Sequence, residues 1–138
     1  MKNLPLGIQT FRDFIELDYI YVDKTKAIHD LFARGGKYYF LSRPRRFGKS
    51  VLISTLAEIF SGNKELFKGL WIYDQIQWTP YPVIHMDFST IDFTSPQKLK
   101  ESIKKFLDET ARSHELTLDE DNSAKELKKL CHLIFLSY

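Results

Sequence analysis

The sequence has one cysteine, Cys131, among its 138 residues, so no pair of thiols is present from which an internal disulfide could form. It also has no apolar run near the length of about 20 residues that spans a bilayer. Residues 1–5 lack the apolar segment of a signal peptide. The composition, 43% hydrophobic and 28% charged, is that of a globular chain. Together these features predict one cytoplasmic domain with no membrane partner.

Acidic residues are missing between Asp30 and Glu58, although this stretch carries several basic residues. The basic residues are Arg34, Lys37, Arg43, Arg45, Arg46 and Lys49. The formal net charge of the whole chain is only +2, too small to indicate a nucleic-acid or membrane partner. A basic patch confined to one stretch instead indicates an anionic ligand at that place.

The basic stretch contains the motif Arg-Pro-Arg-Arg-Phe-Gly-Lys-Ser at residues 43–50. An apolar run precedes it and another follows, a pattern that predicts a strand, a tight loop and a helix. A bound triphosphate needs converging backbone N–H donors, a mobile cation and a hydroxyl for its metal ion. Gly48, Lys49 and Ser50 supply these at the start of the helix. The predicted nucleotide contacts are Arg45, Arg46, Phe47, Gly48, Lys49, Ser50 and Val51, with Ser50 also a Mg²⁺ ligand.

The motif departs from the general phosphate-loop pattern at its first position, where Arg43 stands in place of glycine. Pro44 lacks an N–H donor, but the donors nearest to the phosphates come later, toward the helix. A structural alternative is that Gly-Lys-Ser is an ordinary helix start and that the arginines form a solvated turn. The apolar segments on both sides favour nucleotide binding over that alternative.

Four segments occur in a characteristic order and spacing: residues 21–25 (Tyr-Val-Asp-Lys-Thr), residues 43–50, residues 65–70 (Glu-Leu-Phe-Lys-Gly-Leu) and residues 82–84 (Pro-Val-Ile). Together they resemble the bacterial AAA-ATPase-like family. The resemblance covers residues 4 to 93, and arginine at position 43 is part of that family's pattern. It implies a P-loop ATPase domain that binds ATP with Mg²⁺, often followed by a nuclease-like domain of the PD-(D/E)XK type. A nucleic-acid partner is implied only through that longer architecture.

Capping residues and apolar spacing predict three helices within residues 1–113. The first covers residues 24–34 and is capped by Asp23, and the second covers residues 48–61. The third runs from Pro96 to about residue 113. Asp23 is therefore expected to cap a helix rather than to take part in catalysis.

Two strands are predicted, over residues 37–42 and 83–88, paired in parallel through a right-handed crossover. A last helix is predicted to open at residues 123–126. Its apolar stripe would be Leu127, Leu130, Cys131, Ile134 and Phe135. These elements predict an α/β class, a P-loop NTPase-like fold with an incomplete parallel sheet flanked by helices.

Aromatic residues are frequent in two segments whose secondary structure is less regular. Phe11 and Phe14, in the segment that leads into the domain, are expected to be core contacts. Residues 70–82 form a long connection that carries Trp71, Tyr73, Trp78 and Tyr81. Such rings could stack on bases, but packing of the connection onto the core is the commoner arrangement.

ATP hydrolysis by a P-loop protein needs an aspartate at the end of an apolar strand to hold the Mg²⁺ shell. Asp87 is the only candidate, and no second acid follows it. In the family that the chain resembles, the acidic strand comes after a helix like the one expected near Ala124. Residues 1–138 are therefore expected to be the N-terminal portion of the domain, ending before that strand, and the motif predicts ATP binding rather than hydrolysis.

Two other functions remain open from the sequence. The chain could be a nucleic-acid-binding module that uses Lys37, Arg43, Arg45 and Arg46 on phosphates, which would make its affinity steeply salt-dependent. It could also be a non-catalytic interaction remnant whose apolar surface self-associates. The choice of ATP over GTP rests on the family resemblance alone.

Overall fold

The computed structural model describes residues 2–36, 38–42, 44, 46–87, 91–113 and 133–137. The chain divides into two compact units, Met1–Pro80 and Tyr81–Tyr138. The first unit contains three α-helices: α1 (Phe11–Glu16), α2 (Thr25–Ala33) and α3 (Lys49–Phe60). Two short 3₁₀ helices follow, at Lys64–Phe67 and Trp71–Asp74. The predicted helices at residues 24–34 and 48–61 are thus confirmed to within one residue at each end.

The core of the first unit is built on the ring of Phe11, which is fully buried. This ring stacks on Phe67 with centroids 4.6 Å apart and meets the edge of Tyr21 at 5.0 Å. Phe14 is also buried, and Tyr21 contacts it edge-on. The expectation that Phe11 and Phe14 are core residues is confirmed.

Helix α1 is tied to helix α3 by an ion pair on the surface. The Arg12 guanidinium donates to both carboxylate oxygens of Glu58, at 3.0 Å and 2.9 Å, and its third bond goes to Glu16. The Glu58 carboxylate also accepts a hydrogen bond from the side-chain amide of Asn63. These hydrogen bonds raise the pKa of Arg12, Glu58 contributing most. The paired geometry fixes how α1 lies along α3.

Asp23 connects the start of α2 to a segment much later in the chain. One carboxylate oxygen accepts hydrogen bonds from the backbone N–H and the hydroxyl of Thr25, at 2.8 Å and 2.7 Å. The other accepts one from the backbone N–H of Trp71 at 2.8 Å. The buried Thr25 hydroxyl in turn accepts the N–H of Ile72. The prediction that Asp23 is the cap residue is wrong by one position, because the cap residue of α2 is Lys24. The Asp23 carboxylate still binds the N–H of Thr25, the first helical residue, and it also binds the Trp71–Asp74 turn to that helix.

We expect Asp23→Ala to lower the free energy of unfolding of the first unit by about 1.5–3 kcal/mol, the usual value of hydrogen bonds to a charged group. Both tryptophans, Trp71 and Trp78, lie in this unit, so urea unfolding followed by their fluorescence measures it. The matched control is Asp92→Ala, which removes the same short-range bonds to the N–H and hydroxyl of Thr94 in the second unit, and whose loss is followed by the circular dichroism of the whole protein. Equal losses in the two variants would contradict the long-range role of Asp23.

The pH dependence of this contribution follows from the pKa of Asp23. Burial alone would raise that pKa, but the hydrogen bonds from Trp71 and Thr25 outweigh burial and lower it below its usual 3.8. A lowered pKa in the folded state means that the stabilisation is present above the unfolded-state pKa. It is lost as the pH falls through the folded-state value. The stability difference between wild type and Asp23→Ala should therefore shrink only in that acidic range.

Residues 38–42 form no strand, so the predicted strand over 37–42 is wrong for the residues that are described. The side chains of Tyr38 and Phe40 are 94% and 93% exposed. Tyr39 turns toward α2 instead, where its hydroxyl donates to the Leu31 carbonyl at 2.7 Å and its ring meets Phe32. High strand propensity makes a strand only when a neighbouring strand takes up the backbone hydrogen bonds.

The connection over residues 70–82 packs largely on the core, as expected. The centroids of the Trp78 and Phe67 rings are 4.9 Å apart, and the indole N–H of Trp78 donates to the Tyr73 carbonyl. Lys64 lies over the Tyr73 ring at 4.4 Å. The rings of Trp78 and Tyr73 are therefore committed to contacts within the unit rather than arranged for stacking on bases.

The second unit contains β1 (Val83–Asp87), α4 (Pro96–Ser113) and β2 (Leu133–Ser137). Strands β1 and β2 pair in parallel, with Val83 opposite Leu133 and Asp87 opposite Ser137. The Ser95 hydroxyl accepts the N–H of Lys98 and so caps α4. The predicted strand at 83–88 is confirmed through Asp87, and the helix from Pro96 to 113 is confirmed.

The predicted last helix is wrong where it reaches residues 133–135, because this segment lies in β2. A parallel partner of β1 was predicted at residues 37–42. In the structure, that partner is β2. A short apolar run does not distinguish a strand from a buried helix by its spacing. The capping box at 123–126, Leu127, Leu130 and Cys131 lie outside the described residues. Among the described helices, none is long and apolar enough to cross a membrane.

Candidate functional site

The loop that precedes helix α3 holds two residues in the left-handed backbone region. Gly48, the N-cap residue of α3, has φ 73° and ψ 23°, and Arg46 has φ 66°. A β-carbon at position 48 would meet no atom within 4 Å, so glycine is needed there for its backbone freedom and not for space. A left-handed arginine is uncommon and stores local strain, which is often found at ligand-binding loops.

The first turn of α3 offers backbone donors that its own helix does not use. The Leu52 N–H donates to the Gly48 carbonyl at 3.0 Å, which is the first i to i−4 hydrogen bond of α3. The N–H groups of Lys49, Ser50 and Val51 therefore have no acceptor within the helix. The N-cap has no side-chain hydrogen bond, and no acidic residue lies in the first turn. With the positive end of the helix dipole, three such N–H groups are the kind of backbone donors that bind anions at helix starts.

The side chains around these amides are basic, aromatic and hydroxylic. Lys49 is half-buried, whereas Arg46 and Ser50 are exposed, and the Phe47 ring is 63% exposed. Within the described part of the chain, neither Lys49 nor Arg46 is held by an acidic partner. Among the described residues, these cations and N–H groups are therefore available to an anion, and the Ser50 hydroxyl can contribute one oxygen to a metal ion bound with it.

The predicted nucleotide contacts are contiguous where the structure describes them. Residues 46–51 form the end of the loop and the first helical turn. Arg45 and Arg43 lie outside the described residues, so their contribution stays a prediction. Val51 has a role that the motif did not suggest, because its carbonyl accepts the hydroxyls of Ser54 and Thr55, at 2.9 Å and 2.7 Å.

Ser54 and Thr55 were missed by the sequence analysis, which read them only as part of an apolar helix. Thr55 is fully buried, and the Tyr21 phenol lies beside it. Burial raises the pKa of Tyr21, and the Thr55 hydroxyl opposes that rise. Two adjacent hydroxyl residues within an apolar helix are the sequence signal that could have drawn attention to this place.

Asp87, the candidate metal acid, is the last residue of β1 in the second unit. Only its backbone is described, so its part in holding a metal ion stays a prediction. No cluster of three or more His, Cys, Asp or Glu side chains that could hold a metal ion occurs in the described part of the chain. A Mg²⁺ ion that accompanies a triphosphate does not need such a cluster, since it keeps several waters and takes oxygens from the phosphates. The exposed Ser50 hydroxyl fits that requirement.

Comparisons with known proteins agree with the motif. A family model described as "Predicted AAA-ATPase" matches residues 5–138. The "Uncharacterized protein in vnfD 5'region" of Azotobacter chroococcum mcd 1 is 46% identical over 108 residues, which cover 77% of this chain and 21% of that protein. The chain thus spans about a fifth of the length of this relative. No solved structure matches the chain. Because the family model matches nearly all of the sequence, the chain belongs to the AAA-ATPase-like family.

Proposed function

We propose that residues 43–50 and the first turn of α3 bind the triphosphate of ATP together with Mg²⁺. One observation carries the proposal: Gly48, Lys49 and Ser50 combine a left-handed N-cap, a cation and a hydroxyl on a helix start whose first N–H groups have no intrahelical acceptor. In this proposal Lys49 contacts the β and γ phosphates, and the N–H groups of residues 46–51 surround the phosphate oxygens.

The Mg²⁺ ion would be held by the Ser50 hydroxyl, by phosphate oxygens and by water. Bound there, it would neutralise phosphate charge and fix the geometry of the triphosphate. Asp87 is retained as the candidate acid for the Mg²⁺ shell. Its position at the end of a strand with a parallel neighbour is the position that such an acid occupies in P-loop proteins.

The fold proposed for the family domain is α/β and P-loop NTPase-like, with residues 1–138 as its N-terminal portion. The parallel pairing of β1 with β2 supports this class, since parallel strands are characteristic of α/β folds. The short coverage of the relative from Azotobacter chroococcum agrees with a longer complete protein. A nuclease-like domain and a nucleic-acid partner would belong to that longer protein, as would a further acidic strand, which is the alternative to Asp87 as the source of the acid for hydrolysis.

The proposal is tested by thermal unfolding of the wild type with and without Mg·ATP, because a ligand that binds only the folded state raises its stability. At a concentration 100 times the Kd, Mg·ATP should add about 2.7 kcal/mol to the free energy of unfolding. Adding EDTA should remove most of that gain, and Mg·GTP tests the choice of base. The absence of any shift at millimolar Mg·ATP would overturn the proposal.

The same experiment separates the two alternative functions. Stabilisation by single-stranded DNA that disappears with salt, with no effect of Mg·ATP, would support nucleic-acid binding through the basic loop. No response to either ligand, together with self-association, would support an interaction remnant. The exposed side chains of Tyr38 and Phe40 are the surface through which that self-association would occur.

A further inference from the structure

A chain of hydrogen bonds runs from the start of helix α1 into the first turn of helix α3. The backbone N–H of Phe11 donates to the Ser54 hydroxyl at 2.8 Å. The same hydroxyl donates to the Val51 carbonyl at 2.9 Å, and the buried Thr55 hydroxyl donates to that carbonyl at 2.7 Å. One carbonyl in the first turn of α3 is therefore held by two side chains, one of which is bound to another helix.

The chain continues through two peptide groups to the phosphate-binding turn. The Val51 carbonyl and the Leu52 N–H belong to one peptide group, and that N–H donates to the Gly48 carbonyl at 3.0 Å. The Gly48 carbonyl and the Lys49 N–H belong to the next. Bonds in such a row polarise one another, each donor becoming stronger when its own peptide carbonyl accepts a bond. The last donor in the row is the Lys49 amide, which points out of the helix start.

We propose that Ser54 and Thr55 are positioning residues that couple the start of helix α1 to the Lys49 amide. They thereby set the affinity of the loop for phosphate. This inference rests on the proposed function. Serine and threonine bonds to a preceding carbonyl slightly destabilise a helix and tend to bend it. Two of them on a single carbonyl are therefore poorly explained as helix stabilisation, whereas they do fix the orientation of the peptide groups that lead to Gly48.

Coupling between two places is reciprocal for binding free energies. If the Phe11–Ser54 bond strengthens phosphate binding by some factor, then bound Mg·ATP must strengthen the Phe11–Ser54 bond by that same factor. Mg·ATP should therefore slow the hydrogen exchange of the Phe11 amide, although Phe11 has no contact with the loop in this chain of bonds except through Ser54. A purely structural role for Ser54 gives the Phe11 amide no more protection than the general stabilisation of the fold gives to other buried amides of the first unit.

The experiment compares Ser54→Ala and Ser54→Thr with a matched pair of variants in helix α4. There, Ser113 and Thr110 make the same bonds to carbonyls three and four residues earlier, at 2.7 Å and 2.8 Å, but in the second unit. Ser54→Ala should weaken Mg·ATP binding about threefold to tenfold, the range set by the loss of one hydrogen bond. Ser54→Thr keeps the hydroxyl and should restore the affinity, while Ser113→Ala and Thr110→Val should leave it unchanged. Thr55→Val should weaken binding in the same direction as Ser54→Ala.

The readouts are the Kd for Mg·ATP, the exchange rate of the Phe11 amide with and without Mg·ATP, and the amide proton shift of Lys49 in the ligand-free protein. Equal Kd values for Ser54→Ala and Ser113→Ala, with no protection of the Phe11 amide, would overturn the inference. If the wild type itself does not bind Mg·ATP, the proposed function has failed, and the Lys49 shift decides the coupling alone. A shift in Ser54→Ala but not in Ser113→Ala would support it, and an unchanged Lys49 signal would overturn it.

Discussion

Replacing Lys49 with alanine is expected to weaken Mg·ATP binding about 10- to 100-fold, the equivalent of losing charged hydrogen bonds of about 1.5–3 kcal/mol. Lys49 is half-buried at the first position of α3 and has no acidic partner among the described residues. Within the described part of the chain, its ammonium group is therefore available to a phosphate. The measurement is isothermal titration of the variant and the wild type with Mg·ATP at matched salt.

The control for this variant is Lys105→Ala in helix α4. Lys105 is strongly exposed and lies at 3.9 Å from Glu109 in a loose surface pair, so its removal should leave both Mg·ATP affinity and stability close to those of the wild type. Lys49→Ala must also remain folded, as judged by its tryptophan fluorescence. An unchanged Kd in a folded Lys49→Ala protein would contradict the role of Lys49.

Replacing Phe11 with alanine is expected to have the largest effect on stability, a loss of about 3–5 kcal/mol. The Phe11 ring has no exposed surface and lies between Phe67 and Tyr21, so truncation removes these contacts and leaves a cavity. Since domains of this kind are stable by only about 5–15 kcal/mol, the first unit would be close to unfolding at room temperature. Urea unfolding followed by tryptophan fluorescence measures the loss.

Phe40→Ala is the matched control, because it makes the same chemical change on a ring that is 93% exposed. Its free energy of unfolding should stay within about 0.5 kcal/mol of the wild type. A large loss in Phe40→Ala would mean that residues 38–42 are packed as the sequence predicted. A small loss in Phe11→Ala would contradict the aromatic core.

Helices whose capping residues and apolar spacing lie within a few residues of one another were predicted well. Helix α4 was recognised from Ser95 and Pro96, whose effects on the first turn are local. Helix α3 was recognised from Gly48 and the apolar spacing that follows it. The phosphate-loop prediction depends on a sequence pattern of the same local kind. The residues that it names are therefore contiguous in the structure.

Elements that depend on a distant partner were not predicted. The run Tyr38-Tyr39-Phe40-Leu41 has the composition of a buried strand, yet Tyr39 instead bonds to the Leu31 carbonyl of α2. Residues 133–135 continue an apolar pattern that suits a helix, yet they pair with β1. In both segments the secondary structure depends on which distant groups the segment bonds to. The spacing of apolar residues does not show which groups those are.

The sequence analysis named the residues of the candidate site, whose binding of ATP stays a prediction, but it did not name the groups that support them. Nothing in the motif indicates that the Val51 carbonyl is held by two hydroxyls or that Ser54 reaches the backbone of Phe11. A motif records the groups that meet the ligand, whereas the groups that hold them are set by tertiary contacts. Asp23 is a related example, because its place at the start of α2 was predicted from its neighbours, whereas its bond to Trp71 was not.

The most direct test of the central claim is a titration of isotope-labelled protein with Mg·ATP, followed by the backbone amide signals in NMR spectra. If the start of α3 binds the triphosphate, the largest shifts will occur at Gly48, Lys49, Ser50 and Val51, whose N–H groups face the phosphates. The signals of α4, which is also rich in lysine, will stay in place. Shifts concentrated in α4, or none at saturating Mg·ATP, would contradict the claim that this helix start is a phosphate-binding loop.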